Sequence, residues 1–249
     1  LQEYLNDDTI LVSIMAVNNE LGTRQDLKKI TDLTKQYQNL YLHVDGIQAL
    51  GKIDLFPSRL DIDLCSVSAH KIHGPKGVGA LYVSDDVRLN GILHGSGQEA
   101  GIRPGTENVP GIAGFAKAVE LLATPQQRAE MYRLKEILVN KILTKIEGSS
   151  LNGPAIKDGA PHIANISFAG VRSEVLVHSL AEENIYVSTG AACSSRRKDS
   201  NHVLQAIGLT NDLINKTIRF SLTTTNTEAE ITTVITKLQE KITMLRKIM

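Results

Sequence analysis

Apolar residues recur along the first half of the chain with two alternating periods. Residues 9–17 form an apolar run rich in β-branched side chains, 26–36 carry helical spacing, and 41–45 are apolar again. Runs at 62–66 and 80–83 read as further strands, and 110–122 as a helix with small residues on one face. Strands alternating with helices imply a mostly parallel sheet joined by helical crossovers. Ala123-Thr124-Pro125 interrupts that pattern. Beyond it the order is a charged amphipathic helix at 126–146, a strand at 162–168, a helix at 173–182 and a strand at 185–188. A small-residue loop, a short helix from Ser200, a strand at 217–222 and a last helix at 227–247 complete the chain. The expected architecture is α/β, with a large domain over 1–124 and a smaller α+β domain over 125–249.

Composition narrows the chemistry. The 249 residues are 42% apolar, enough to fill a sizeable core, and carry 27 basic and 27 acidic side chains. Balanced charge argues against nucleic acid and against an anionic membrane surface as partners. No apolar run approaches the length that spans a bilayer, so a cytoplasmic setting with small-molecule chemistry is expected. The two cysteines, Cys65 and Cys193, are too few for a disulfide framework. Cys65 lies within an apolar strand and reads as a packed hydrophobe. Cys193 follows Ser188-Thr189-Gly190-Ala191-Ala192 and precedes Ser194-Ser195-Arg196-Arg197-Lys198, a small-residue loop with cations that favour a thiolate.

Lys71 stands in Ser66-Val67-Ser68-Ala69-His70-Lys71-Ile72-His73-Gly74-Pro75-Lys76-Gly77, between two apolar stretches that read as buried strands. Partial desolvation there would lower its pKa and free the amine to form a Schiff base with an aldehyde such as pyridoxal phosphate. Asp45, 26 residues earlier, ends another apolar strand. Taken alone it reads as a helix N-cap. Paired with Lys71 it is the carboxylate that keeps a pyridine nitrogen protonated.

These residues carry a wider resemblance. Val17-Asn18-Asn19-Glu20-Leu21-Gly22-Thr23, His43-Val44-Asp45-Gly46-Ile47-Gln48, Ser68-Ala69-His70-Lys71, Gly74-Pro75-Lys76-Gly77, Arg103-Pro104-Gly105-Thr106-Glu107-Asn108, Gly190-Ala191-Ala192-Cys193-Ser194-Ser195 and Ile218-Arg219-Phe220-Ser221-Leu222 stand in one order along the chain. In that order the sequence resembles the cysteine desulfurases of the NifS and IscS type, within the class V aminotransferase group. The resemblance implies fold type I of the pyridoxal 5′-phosphate enzymes, with Lys71 as the Schiff-base lysine and no metal. It further implies that Asp45 holds the pyridinium, that Gln48 and Asn19 bond the ring oxygen, and that Ser68 and His70 bind the phosphate. Asn19 would also touch the substrate. Thr106 would reach the phosphate in the other subunit, which implies a homodimer, and Arg219 would clamp the substrate carboxylate.

The implied reaction converts L-cysteine to L-alanine and leaves the sulfur on Cys193 as a persulfide, to be passed to an iron–sulfur scaffold or a tRNA-thiolation enzyme. Arg196, Arg197 and Lys198 could dock an acidic acceptor, but as a short run they read first as a solvated loop face. Family members carry a long N-terminal portion ahead of the first strand seen here, including a phosphate-binding turn and a ring-stacking histidine. From that difference, and from Leu1 in place of Met, an N-terminally incomplete large domain and weak activity of the chain alone are expected. Two other readings stay open: a selenocysteine lyase or aminotransferase of the same group, of which a transaminase has no need of the Cys193 thiol, and a non-catalytic docking scaffold.

Overall fold

The runs expected over 9–17 and 62–66 settle as β1 (Leu11–Met15) and β3 (Leu64–Ser68), with β2 (Tyr41–Asp45) between them and β4 (Gly79–Val83) at the far edge. This sheet belongs to a computed structural model that describes residues 1–189 and 201–248. β1, β2 and β3 run parallel, with Ser13 opposite His43 and Asp45 opposite Ser66, whereas β4 runs antiparallel to β3. The reason is the connection. Between β3 and β4 there is only a one-turn 3-10 helix, Ala69–Ile72, and a Gly-Pro turn, too short for the crossover that a parallel return requires.

Helix α1 (Leu27–Thr34) makes the crossover from β1 to β2; it is capped by Asp26, whose carboxylate accepts the Lys29 N–H at 3.2 Å. Asp63 ties the next connection down: its buried carboxylate accepts the Leu42 N–H at 2.7 Å and the Lys35 ammonium at 2.9 Å. Alternation along the strands then sorts the two faces. Val12, Leu42, Val44 and Cys65 share one buried face, and Ser13, His43, Asp45, Ser66 and Ser68 share the other. Helix α2 (Val109–Glu120) packs Phe115 and Ala118 against Ala69 and Ile72 of the 3-10 turn.

The second unit is built around a sheet in the order β5-β6-β8-β7, all antiparallel: β5 (Ser149–Asn152), β6 (Ile163–Phe168), β7 (Ser188–Thr189) and β8 (Thr217–Ser221). Its apolar face, with Ala164, Ile166, Phe168, Ile218 and Phe220, is covered by α3 (Pro125–Lys145), α4 (Ser173–Ala181) and α7 (Glu228–Ile248). Two short helices, α5 (His202–Ala206) and α6 (Asn211–Ile214), precede β8. The opposite face is polar and carries Asn152, Asn165, Ser167, Thr217 and Arg219.

By Cα proximity the first unit comprises Leu1–Val17 and Gln25–Leu122, while Asn18–Arg24 groups with the described residues from Ala123 onward. Asn18–Arg24 therefore forms part of the second unit although it lies within 1–124. The Ala160 N–H donates to Gly22 O at 2.7 Å, and Thr23 bridges Gly159. Among the described residues no helix is long and apolar enough to cross a membrane.

Candidate functional site

β2 ends at Asp45 and the chain turns at once through Gly46, where a Cβ would come within 2.7 Å of Leu55 and 3.0 Å of Cys65 Sγ. That turn fixes the carboxylate, because Asp45 Oδ1 accepts the Ile47 N–H at 2.9 Å. Gln48 follows, half-buried. At the end of β3, Ser68 Oγ and His70 Nδ1 lie 2.7 Å apart, so hydroxyl and imidazole form one polar unit. A second histidine, which the sequence reading did not single out, stands two residues before Asp45. His43 bonds Ser13 Oγ through Nδ1 and Ser66 Oγ through Nε2, both at 2.8 Å, and so links three strands on the face that carries Asp45. Beneath that face Cys65 is a packed thiol; burial, then the Asp45 charge, pushes its pKa up to about 11, against a bond from the Gly46 N–H.

Lys71 differs from its expected setting. It is exposed, because the 3-10 turn directs Ala69 and Ile72 inward and leaves His70 and Lys71 on the outer side. Thr106 is also exposed, in the segment before α2. Asp45, Gln48, Ser68, His70 and Lys71 thus gather at or just after the carboxyl ends of β2 and β3 in the first unit, where an α/β sheet collects its ligands.

Two other expected residues meet in the second unit. Arg219 Nη1 donates to Asn19 O at 3.1 Å and lies 3.5 Å from Glu20 Oε1, which in turn accepts the Asn19 side-chain amide at 3.3 Å. Asn18 Oδ1 accepts the Glu20 and Leu21 N–H groups at 2.9 Å each and shapes the turn. Behind it, Asn165 donates to Glu20 O at 3.2 Å and accepts from Asn152, which also reaches Ser167. Burial pushes the Glu20 carboxyl up; the Arg219 guanidinium, the Asn201 amide and the His202 ring pull it back. Glu20 lay within a quoted motif without a role assigned. Cys193 and the cations Arg196, Arg197 and Lys198 lie outside the described residues.

The mostly parallel mixed sheet is consistent with fold type I of the pyridoxal 5′-phosphate enzymes. A solved NifS-like protein shares that fold with a TM-score of 0.86 at 37% identity over 98% of this chain and 64% of its own. A solved structure of SspA in complex with cysteine gives a TM-score of 0.72 at 33% identity over 89% of this chain and 61% of its own. Residues 1–234 match the Aminotransferase class-V family, and the chain belongs to it. The cysteine desulfurase IscS of Clostridium botulinum is 40% identical over 250 residues, which cover 99% of this chain and 63% of that protein. The chain therefore spans just under two thirds of the length of the relatives it matches.

Members of this family depend on pyridoxal 5′-phosphate. The donor set of the first unit fits it. Asp45 is a strand-end carboxylate held in place by a backbone N–H, suited to a pyridinium. Ser68 and His70 already form a paired hydroxyl and imidazole, suited to a phosphate, and Lys71 offers an outward amine one residue on.

Proposed function

We propose that this chain belongs to a cysteine desulfurase, which converts L-cysteine to L-alanine and transfers the sulfur to Cys193. The observation that carries the reading is the grouping of Asp45, Ser68, His70 and Lys71 at two adjacent strand ends, on a chain whose second unit pairs Arg219 with Asn19. When bound, pyridoxal 5′-phosphate supplies an electron sink for negative charge developing at the substrate Cα. Asp45 would sit against the ring nitrogen, Gln48 and Asn19 against the ring oxygen, and Ser68 and His70 against the phosphate. Thr106 would do the same for the phosphate of a second copy in a homodimer.

Lys71 would hold the cofactor through its amine and, once displaced by substrate, move the Cα proton. Arg219 would bind the substrate carboxylate with its planar fork. The Cys193 thiolate would attack the substrate sulfur, forming an S–S bond as the C–S bond breaks. The electron pair stays on carbon and takes up a proton on the way to alanine, and the sulfur leaves Cys193 for an acceptor protein.

Borohydride reduction of the protein after loading with pyridoxal 5′-phosphate, followed by peptide mass analysis, tests the site. The expected result is a reduced adduct on the Lys71 peptide, lost in Lys71→Ala. An adduct on another lysine overturns the assignment. Alanine release from L-cysteine tests the chemistry: Cys193→Ser should abolish it, and an unchanged rate excludes sulfur transfer to that thiol.

A further inference from the structure

Arg219 reads as a substrate contact, yet its charge is already met from within the chain. Its side chain is 17% exposed and that of Glu20 only 6%, so the pair is largely withdrawn from water. A guanidinium so buried without a counter-charge would be driven toward solvent. One carboxylate oxygen, Glu20 Oε1, faces both the Arg219 Nη1 and the Asn19 amide. Glu20 is itself fixed from behind, its N–H by Asn18 Oδ1 and its carbonyl by Asn165. The arrangement uses Nη1 of Arg219, whereas the buried Nε has no partner among the described residues.

We propose that Glu20 is a positioning residue, whose buried carboxylate holds the Arg219 guanidinium and the Asn19 amide in one orientation for recognition of a substrate carboxylate. The inference rests on the desulfurase reading and adds to it how carboxylate recognition is set up before substrate arrives. Glu20 touches neither substrate nor cofactor in this role. It acts through Arg219 and Asn19, and all three belong to the second unit.

L-alanine and ethylamine, which differ by the carboxylate, are the probes, and their binding to the cofactor-loaded protein is read by the change in cofactor absorbance. Glu20→Gln and Glu20→Asp should each weaken L-alanine by about tenfold, the loss of one charge-assisted contact, and leave ethylamine within about twofold. Equal weakening of both ligands, no change for L-alanine, or tighter L-alanine binding in Glu20→Gln overturns the proposal. The last outcome would mean that Glu20 competes with the substrate for Arg219. A second readout needs no cofactor and no Glu20 variant. In the wild-type protein the Arg219 Nε–H resonance, assigned with Arg219→Lys, should exchange slowly with water, and fast exchange overturns the proposal. Failure of L-alanine to perturb the loaded wild-type protein overturns the desulfurase reading, and the Nε–H resonance then judges Glu20 by itself.

Discussion

Lys135 and Cys65 are buried ionisable side chains with opposite effects on stability. Lys135, on α3, is 2% exposed, donates to Ala160 O at 2.8 Å, and has its pKa brought down from 10.5 to about 8 by burial. Between those values the unfolded chain keeps the proton and the folded chain has released it, so stability rises with pH there and is lost as pH falls through about 8. Cys65 works the other way. From pH 9.0 to about 11 the unfolded thiol ionises first, and stability falls as pH rises. Lys135→Met, made in a Cys65→Ala background, should therefore remove a rise on the order of 3 kcal/mol across the lysine window, measured by urea unfolding at pH 8 and 10.5. At this scale the position of Asp45 at a strand end was legible because it closes an apolar run, whereas the roles given to Ser68 and His70 came from the family resemblance. Glu20 was not legible. The partners that give it meaning, Asn165 and Arg219, lie far along the chain, and no local pattern records them. The environment of Lys71 was misread, since a single 3-10 turn decides which of four consecutive side chains faces inward.

Strands and helices with a buried apolar period were the readable elements. Helix α3 also announces its start in Thr124-Pro125-Gln126-Gln127: Thr124 Oγ1 accepts the Gln127 N–H and Gln127 Oε1 accepts the Thr124 N–H, a complete capping box. β5 escaped notice because Ser149-Ser150-Leu151-Asn152 has no apolar alternation. It is defined instead by its ladder with β6 and by Asn152 bonding Asn165 and Ser167. Of the strand expected at 185–188 only the end forms, as Ser188 and Thr189, which meet Arg219 and Ile218. Backbone conformation offers a sharper test at Gly22. Its φ is +72° and a Cβ would sit 3.0 Å from that of Ile163, whereas Gly77, at +79°, has nothing within 4 Å. Gly77→Ala should cost about 1 kcal/mol of conformational strain, and Gly22→Ala about 1–3 kcal/mol more, compared by chemical unfolding of the two variants.

The largest departure from a linear reading belongs to the whole molecule, since a boundary drawn once along the chain cannot describe a unit assembled from two segments. Alternation and composition marked the change of rhythm near residue 123. They could not show that Asn18–Arg24 belongs beyond it, because that membership rests on long-range bonds to Asn165, Ala160 and Arg219. Native-state hydrogen exchange should find the amides of Gly22 and Ala160 opening with those of β6 and β8. Exchange in step with β1 and β2 would contradict this division. The same stitching bears on synthesis of the chain. Asn19 is made 200 residues ahead of Arg219, so the contact between them closes a long and entropically demanding loop. A nascent chain therefore carries β1 to β4, with Asp45 and Lys71, well before Arg219 is made. On the proposed reading, an unfinished protein able to hold cofactor is unable to seize an amino acid, and sulfur chemistry waits until translation has passed Arg219.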